Sequence, residues 1–359
     1  MSRPALITIH LDALRHNLAQ VRKLAPKSKV LAMVKANAYG HGLIGIAKAL
    51  NHADGLGVAS LEEGIALREA GIKQPIFLME GLFNVDELTL AALHHFTLIV
   101  HHADQITMLQ SVRLQKPLQV WLKVNTGMNR LGIAPADFNA CYGKLLTCQN
   151  VAQPIGVMTH FAEADNPKSE VTARQVDCFN AVIEGVQAPL SLSNSAGILA
   201  WPSVQADWVR PGLMLYGASP FTKETGLERG LKPVMTFSSK LMAVHAVKRG
   251  EKVGYGGTWT AHEATRIGIV AAGYGDGYPQ QAKNGTPVLV NGQVCPLVGR
   301  VSMDMLAVDL KESPKATLGD PVILWGQGLP VEWVANQAMT SPYELLTRIT
   351  TRPKIVTSL

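Results

Sequence analysis

At 359 residues, 47% of them hydrophobic and 17% charged, the chain holds enough apolar material for two domains or for one large α/β domain with a smaller companion. Its formal charge of +6 is modest and its Lys and Arg do not bunch, which suits an anionic small molecule as well as nucleic acid, with no aromatic-basic interleaving to favour the latter. No apolar run reaches the ~18–20 residues of a membrane span, and the first residues lack the apolar core and cleavage site of a signal peptide.

In chain order, Leu11, Leu14, Leu18, Val21 and Leu24 first recur at helical spacing. From Lys29 onward, short β-rich runs alternate with helical patterns. The predicted strands are KVLAMVK (29–35), GLGVAS (55–60), PIFLME (75–80), FTLIVH (96–101), LQVWLKVN (118–125), PIGVMTHF (154–161), PLSLSNS (189–195) and DWVRPGLMLYG (207–217). Amphipathic stretches such as LEEGIALREAG (61–71) and ADQITMLQSVR (103–113) separate them. Eight apolar strands with helices between imply parallel pairing with both faces covered, and eight strands close a barrel. An open doubly wound sheet is the rival, but no G-x-G-x-x-G follows the first strand. The expectation is an α/β chain with an N-terminal (β/α)8 TIM-type barrel over residues 1–230.

Past residue 230, β-rich runs are punctuated by Gly and Asn, with no long helices between them. Asn291-Gly292 falls between two apolar runs, a hairpin signal. A short helix is expected at YELLTRI (343–349). Residues 231–359 therefore read as a C-terminal mainly-β domain. The four cysteines, Cys141, Cys148, Cys178 and Cys295, have neither C-x-x-C spacing nor the density of a disulfide scaffold. Reduced thiols in a cytoplasmic protein are expected, with no bound metal and no membrane partner.

In such a barrel, the loops that follow the strands build the reactive site. The polar residues at predicted strand ends are Lys35 after the first, Lys123 and Arg130 at and beyond the fifth, and His160 at the sixth. Ser195 follows at the seventh and Arg210 on the eighth. The loops NSAG (194–197) and RPGLMLYG (210–217) offer a hydroxyl, amides freed by Gly212 and an arginine, a set that suits a phosphate monoester. A lysine opposite a phosphate inside a barrel points to pyridoxal 5′-phosphate held as a Schiff base on Lys35. The amine must be neutral to attack an aldehyde, which burial and neighbouring cations promote. Singly, each residue has a duller explanation. Lys35 can snorkel to solvent, His160 can be a hydrogen-bonded core histidine, Ser195 can cap a helix, and Met303 can fill core space. Those explanations do not predict a gathering at one barrel face.

Over essentially its whole length, from VKANAYGHG through TGMNRLG, RPGLMLYG, VGYGGTW, GYGDGYP and GRVSMDM to SPYELLTR, the sequence resembles the bacterial alanine racemases of the two-domain, pyridoxal-phosphate type. The resemblance implies interconversion of L- and D-alanine by a head-to-tail homodimer, either supplying D-alanine for peptidoglycan precursors or catabolising it. It implies that Lys35 carries the cofactor, that Tyr39 lies on the phosphate side, and that His160 packs on the cofactor ring. It assigns phosphate binding to Ser195, the amides of Gly212 and Leu213, and Tyr343, and sets Arg210 against the pyridine nitrogen. Arg130 falls near the substrate carboxylate, and Lys123 matches a lysine often carbamylated to hold that arginine. Tyr255 matches a second base that reaches the site from the partner subunit. Met303 and Tyr274 match residues that close the substrate side, with Asp304 beside them. Lys35 would serve the D-alanine face and Tyr255 the L-alanine face, although a phenol needs cationic or hydrogen-bonding help to act as a base near neutrality.

Two positions depart from the family pattern: Asn125 stands where an aspartate is common, and Ser302 is one of several small residues seen at its position. The first bears on how Lys123 and Arg130 are held. The alternatives are a racemase of broader specificity, a decarboxylase on the same scaffold, and a non-catalytic carrier of the cofactor. Such carriers consist of the barrel alone, and here a second domain follows.

Overall fold

The computed structural model describes residues 3–358 and contains the expected closed barrel. Its eight strands are Lys29–Met33, Gly55–Val58, Ile76–Leu78, Phe96–Val100, Leu118–Lys123, Val151–Met158, Leu190–Ser191 and Trp208–Val209. They pair in parallel in chain order, and Lys29 and Val30 close the ring against Trp208 and Val209. The third and fourth strands are buried at every residue, as strands covered on both faces must be. Leu31, Phe77, Ile99, Trp121, Met158 and Trp208 fill the interior beside Ser191 and Arg210. The rings of Phe77, Trp121 and Trp208 lie 5.4–6.1 Å apart, so the barrel is a packed core and not a pore. Gly156 makes room for this packing, because a Cβ there would sit 2.2 Å from the Trp121 indole.

The second unit is an eight-stranded sheet in the order Thr265–Val270, Leu306–Asp309, Gln293–Val298, Pro287–Val290, Pro321–Trp325, Met235–Val247, Leu6–His10 and Lys354–Ser358. The long strand Met235–Val247 also pairs with Thr265–Val270, across an irregularity between Leu241 and Ala243, so the first six strands of the series close on themselves. The expected hairpin is present: Val290 pairs with Gln293, and Asn291 and Gly292 take φ of 51° and 77° between them. Helices Val331–Gln337 and Pro342–Thr347 follow. Among the described residues, no helix is long and apolar enough to cross a membrane.

Contacts divide the chain differently from a single cut at residue 230. Barrel contacts hold together Leu18–Ala38 and Gly42–Leu215, while the residues through Asn17, the triplet Tyr39–His41 and the chain from Tyr216 onward belong with the sheet. The cause is Leu6–His10, which pairs antiparallel with the start of Met235–Val247 and parallel with Lys354–Ser358, burying Ile7 and Ile9. This five-residue strand runs straight into the helix Leu11–Leu24, and its alternation is too short to stand out in the sequence.

Glu332 is a polar keystone of the sheet unit. It is 5% exposed, and its Oε1 accepts the N–H groups of Ser219 and Gly226, each at 2.7 Å. Burial raises its carboxyl above the usual range. The folded chain therefore holds a proton that the unfolded chain releases, and stability falls as pH rises from the unfolded value past the folded one. Glu332→Gln keeps the oxygen that accepts both amides, so its urea midpoint at neutral pH should match or exceed that of the parent and lose this pH dependence. Glu332→Ala strands two buried N–H groups and should cost about 2–4 kcal/mol by the same measurement.

Candidate active site

The first barrel strand stops two residues before the expected position. The Met33 N–H donates to the Pro211 carbonyl at 3.0 Å and the Val34 N–H to that of Gly57 at 2.8 Å. Beyond Lys35, Ala36, Asn37, Ala38 and Tyr39 all take φ of 52–54°, forming one turn of left-handed helix. L-residues are disfavoured there by roughly 1–2 kcal/mol each, least for a short polar side chain such as Asn. The surroundings hold the turn in place. Asn37 Oδ1 accepts the Leu43 N–H at 2.8 Å, the Gly42 N–H reaches the Asn37 carbonyl at 3.0 Å, and the Asn37 N–H donates to Glu63 at 3.3 Å. Strain kept by such over-determination marks functional segments. Here it sets the direction in which the chain leaves Lys35, which is partly exposed.

Lys123 ends the fifth strand and is 8% exposed. The chain then doubles back, with the Asn125 N–H donating to the Ile133 carbonyl at 2.9 Å and the Ile133 N–H to that of Lys123 at 2.8 Å. The loop so closed carries Arg130, which is exposed. Asn125 braces it: Oδ1 accepts the N–H groups of Gly127 and Asn129, and Nδ2 donates to Asn129 Oδ1 at 3.0 Å. An amide oxygen thus meets the acceptor role that an aspartate would fill, without adding a negative charge.

At the end of the sixth strand, Thr159 Oγ1 donates to the Val124 carbonyl at 3.0 Å and lies 2.7 Å from Thr126 Oγ1. Gln175, buried on the helix Val171–Val182, donates to Thr126 Oγ1 and to the His160 carbonyl and accepts the Ala162 N–H. These bonds lock the two strand ends together and hold the backbone of His160.

Arg210 follows the eighth strand and is 3% exposed. Its Nη1 donates to Ser191 Oγ at 2.6 Å, and its Nη2 to the carbonyls of Thr159 at 2.6 Å and Leu192 at 3.0 Å. Nη2 also lies 3.3 Å from His160 Nδ1. A guanidinium has no acceptor, so His160 must offer the Nδ1 lone pair and carry its proton on Nε2. Burial first, then Arg210, Lys123, Arg130 and Lys35, hold His160 well below the usual imidazole range, which is the same conclusion reached from charge. Burial lowers Arg210 from the usual guanidinium range, but the group stays a cation. Burial, then Arg210, Arg130 and Lys35, push Lys123 down to about 8, opposed by Glu80. The barrel end thus gathers four basic side chains and a neutral imidazole.

Ser195 is not the cap of the helix Ser195–Ala200. Asn194 fills that place, accepting the Gly197 N–H at 2.9 Å. Ser195 Oγ instead accepts the N–H groups of Gly212 at 2.9 Å and Met214 at 3.3 Å, with the buried Leu213 between them. The remaining expected residues belong to the sheet unit. Tyr39 stacks on Tyr216 at 4.6 Å and lies 6.0 Å from the ring of Tyr343. Burial, with Tyr343 adding to it, raises the Tyr39 phenol well above its usual range, leaving it a hydroxyl donor. Tyr274 is partly buried, Met303 is 52% exposed, and Asp304 pairs with Arg352 at 2.6 Å. Tyr255 stands 72% exposed on a tight turn with Gly256 and Gly257. Among the described residues, no group of three or more His, Cys, Asp or Glu side chains is placed to hold a metal ion.

Sequence reasoning missed Thr159, Gln175 and Ser191, the residues that hold His160 and Arg210. One signal was available: Thr172, Gln175 and Phe179 recur on the buried face of one helix, and a glutamine there needs polar partners.

A family model described as alanine racemase, N-terminal domain, matches residues 9–220, and one described as alanine racemase, C-terminal domain, matches residues 234–357. The chain is 51% identical over 349 residues to a biosynthetic alanine racemase of Escherichia coli O6:H1, with 97% of each chain covered. It is 50% identical over the same length to the corresponding protein of strain K12. Among solved structures, a biosynthetic alanine racemase from Pseudomonas aeruginosa matches with a TM-score of 0.97 at 43% identity, covering 99% of this chain and all of that one. An alanine racemase from Acinetobacter baumannii matches at 0.93 and 41%, with the same coverage.

Lys123 carries a measurable signature. Its amine loses a proton in the folded chain near pH 8, whereas the unfolded chain keeps it until about 10.5, so stability should rise with pH between those values. In buffer stripped of carbon dioxide, Lys123→Met should abolish that rise. It should also raise Tm at pH 7 by roughly 2–4 °C, because a buried cation has been removed. A parent whose Tm is flat from pH 8 to 10 would contradict this account.

Proposed function

Because the chain belongs to the alanine racemase family, we propose that it interconverts L- and D-alanine with pyridoxal 5′-phosphate bound at the barrel. It would work as a homodimer in which Tyr255 and Met303 of one protomer serve the site of its partner. The observation that carries this reading is the excess of positive charge around His160, where Lys35, Lys123, Arg130 and Arg210 act together. Such a site calls for anions, and a phosphate monoester and an amino-acid carboxylate are the two that this reaction brings. The Ser195 hydroxyl and the Leu213 amide suit the phosphate, and the Gly212 N–H would exchange its present partner, Ser195 Oγ, for it, with Tyr39 and Tyr343 as further hydroxyl partners. When bound, the cofactor supplies an aldehyde for the substrate amine and a conjugated ring that accepts the electron pair left at Cα.

The side chains divide the remaining work. Lys35 Nζ would hold the cofactor and, as a free amine, would take or return the Cα proton on the D-alanine face. Tyr255 Oη does so on the L-alanine face, so a proton taken from one side and returned on the other inverts the centre. Arg210 can hydrogen-bond the pyridine nitrogen but cannot hand it a proton, which limits electron withdrawal and favours proton exchange over other outcomes. The neutral His160 would pack against the ring. Arg130 engages the substrate carboxylate. Lys123, with its amine pushed down to about 8, keeps enough of the neutral form to add carbon dioxide and release a proton. The resulting carbamate gives Arg130 an anionic partner. The biosynthetic relatives support a role in supplying D-alanine for peptidoglycan precursors.

The loaded protein given L-alanine should reach an equimolar mixture of enantiomers by chiral chromatography. It should also show a visible absorbance band that borohydride removes. Lys35→Ala should lose both band and turnover, whereas Tyr255→Phe should keep the band and lose roughly 100-fold or more in kcat. A Tyr255→Phe protein that turns over like the parent would overturn the two-base reading.

A further inference from the structure

In the sheet unit, four side chains of alternating charge form a set in which Arg3, Asp276 and Arg352 have no part in the chemistry above. Arg3 grips Asp276 twice, Nε to Oδ1 at 3.1 Å and Nη2 to Oδ2 at 2.6 Å, and Nη2 also donates to the Asp304 carbonyl at 2.6 Å. The Asp276 side chain is fully buried and accepts the Gly273 N–H at 2.9 Å. Arg352 completes the set, with Nε 3.5 Å from Asp276 Oδ1 and Nη2 donating to Asp304 Oδ1 at 2.6 Å. Two arginines and two aspartates cancel, and both oxygens of the buried carboxylate are bonded. A buried charge is tolerated only on such terms.

This set spans two loops that are already stitched by their backbones. The Tyr274 N–H donates to the Ser302 carbonyl at 3.0 Å, and the Gly275 N–H to that of Met303 at 2.9 Å. The fit has no slack: a Cβ on Gly273 would lie 2.3 Å from the Ser302 carbonyl oxygen and 2.5 Å from that of Met303. Met303 is 52% exposed and Tyr274 partly so. The backbone beneath them therefore sets where these two side chains point.

We propose that Arg3 and Arg352 are positioning residues. By fixing Asp276 and Asp304 they set the width of the opening that Tyr274 and Met303 bound, and so select alanine over amino acids with larger side chains. The inference rests on the reading above, in which Tyr274 and Met303 close the substrate side. Lysine is a poor substitute for Arg3, because one ammonium cannot span both carboxylate oxygens and a carbonyl at once.

The test uses the cofactor-loaded protein and its Arg3→Gln, Arg3→Lys and Arg352→Gln variants, with KM and kcat measured separately for L-alanine and L-serine. In Arg3→Gln, the KM for alanine should rise about tenfold with kcat within about twofold of the parent. The serine-to-alanine ratio of kcat/KM should rise about fivefold or more, with Arg3→Lys in between. A lowered Tm with KM and the serine-to-alanine ratio unchanged would make the set merely structural and overturn the proposal. Amide exchange at Tyr274 and Gly275 reads the same set without turnover and should quicken about tenfold in Arg3→Gln. Unchanged exchange overturns the proposal even if the parent leaves alanine untouched, and that latter result by itself sinks the proposed function. Should Arg3→Gln fail to fold, Arg352→Gln, which leaves both Arg3–Asp276 bonds in place, carries the same readouts.

Discussion

A buried guanidinium that can only donate governs the barrel end. Arg210 ties the sixth strand to the seventh through Thr159, Leu192 and Ser191. In doing so it commits His160 to one tautomer and adds to the field that lowers Lys123. Each consequence follows from the same two facts: the group keeps its charge, and its hydrogen bonds run in one direction. The carbonyls around it cannot relax toward water, because an aromatic and aliphatic plug fills the barrel beside it. Position and electrostatics therefore come from a single side chain.

The left-handed turn after Lys35 shows the complementary strategy. There the backbone carries the constraint and the side chains are kept small. Ala36 and Ala38 present little bulk to a conformation that β-branched residues resist, and Asn37 closes the turn with its own amide oxygen. The loop that presents Arg130 is built the same way, from an asparagine that binds two amides and from Gly132, where a Cβ would sit 2.5 Å from the Asn125 nitrogen. In both places short polar side chains replace regular secondary structure as the source of rigidity.

How much of this was legible in the sequence depended on whether the signal was local. Eight apolar runs with helical patterns between them announce a parallel barrel, and Asn291-Gly292 announces a hairpin, because each is written within a few residues. Lys123, His160 and Arg210 were legible as strand-end groups once the barrel was assumed. The strand Leu6–His10 was not, since its partners lie far along the chain and no turn separates it from the next helix. Gln175, Ser191 and Glu332 were also missed. A polar residue in a strand or amphipathic helix reads as solvent-facing until the acceptors or donors around it are known. Tyr39, Tyr255, Met303 and Tyr343 entered through family resemblance, because neither a buried tyrosine such as Tyr39 nor an exposed aromatic or methionine carries a mark of its own.

The placement of Leu6–His10 has a consequence for assembly on the ribosome. This segment emerges early, yet its Leu6 carbonyl meets Ser238 across 232 residues of chain, and its other neighbour is Lys354–Ser358. The barrel, drawn from residues between Leu18 and Leu215, is synthesised in full while that early strand still has no place to dock. An apolar β segment with open edges is an invitation to associate with other chains. The interval before residue 235 leaves the exit tunnel is thus the stretch of synthesis in which a chaperone that shields short hydrophobic strands has most to offer this polypeptide.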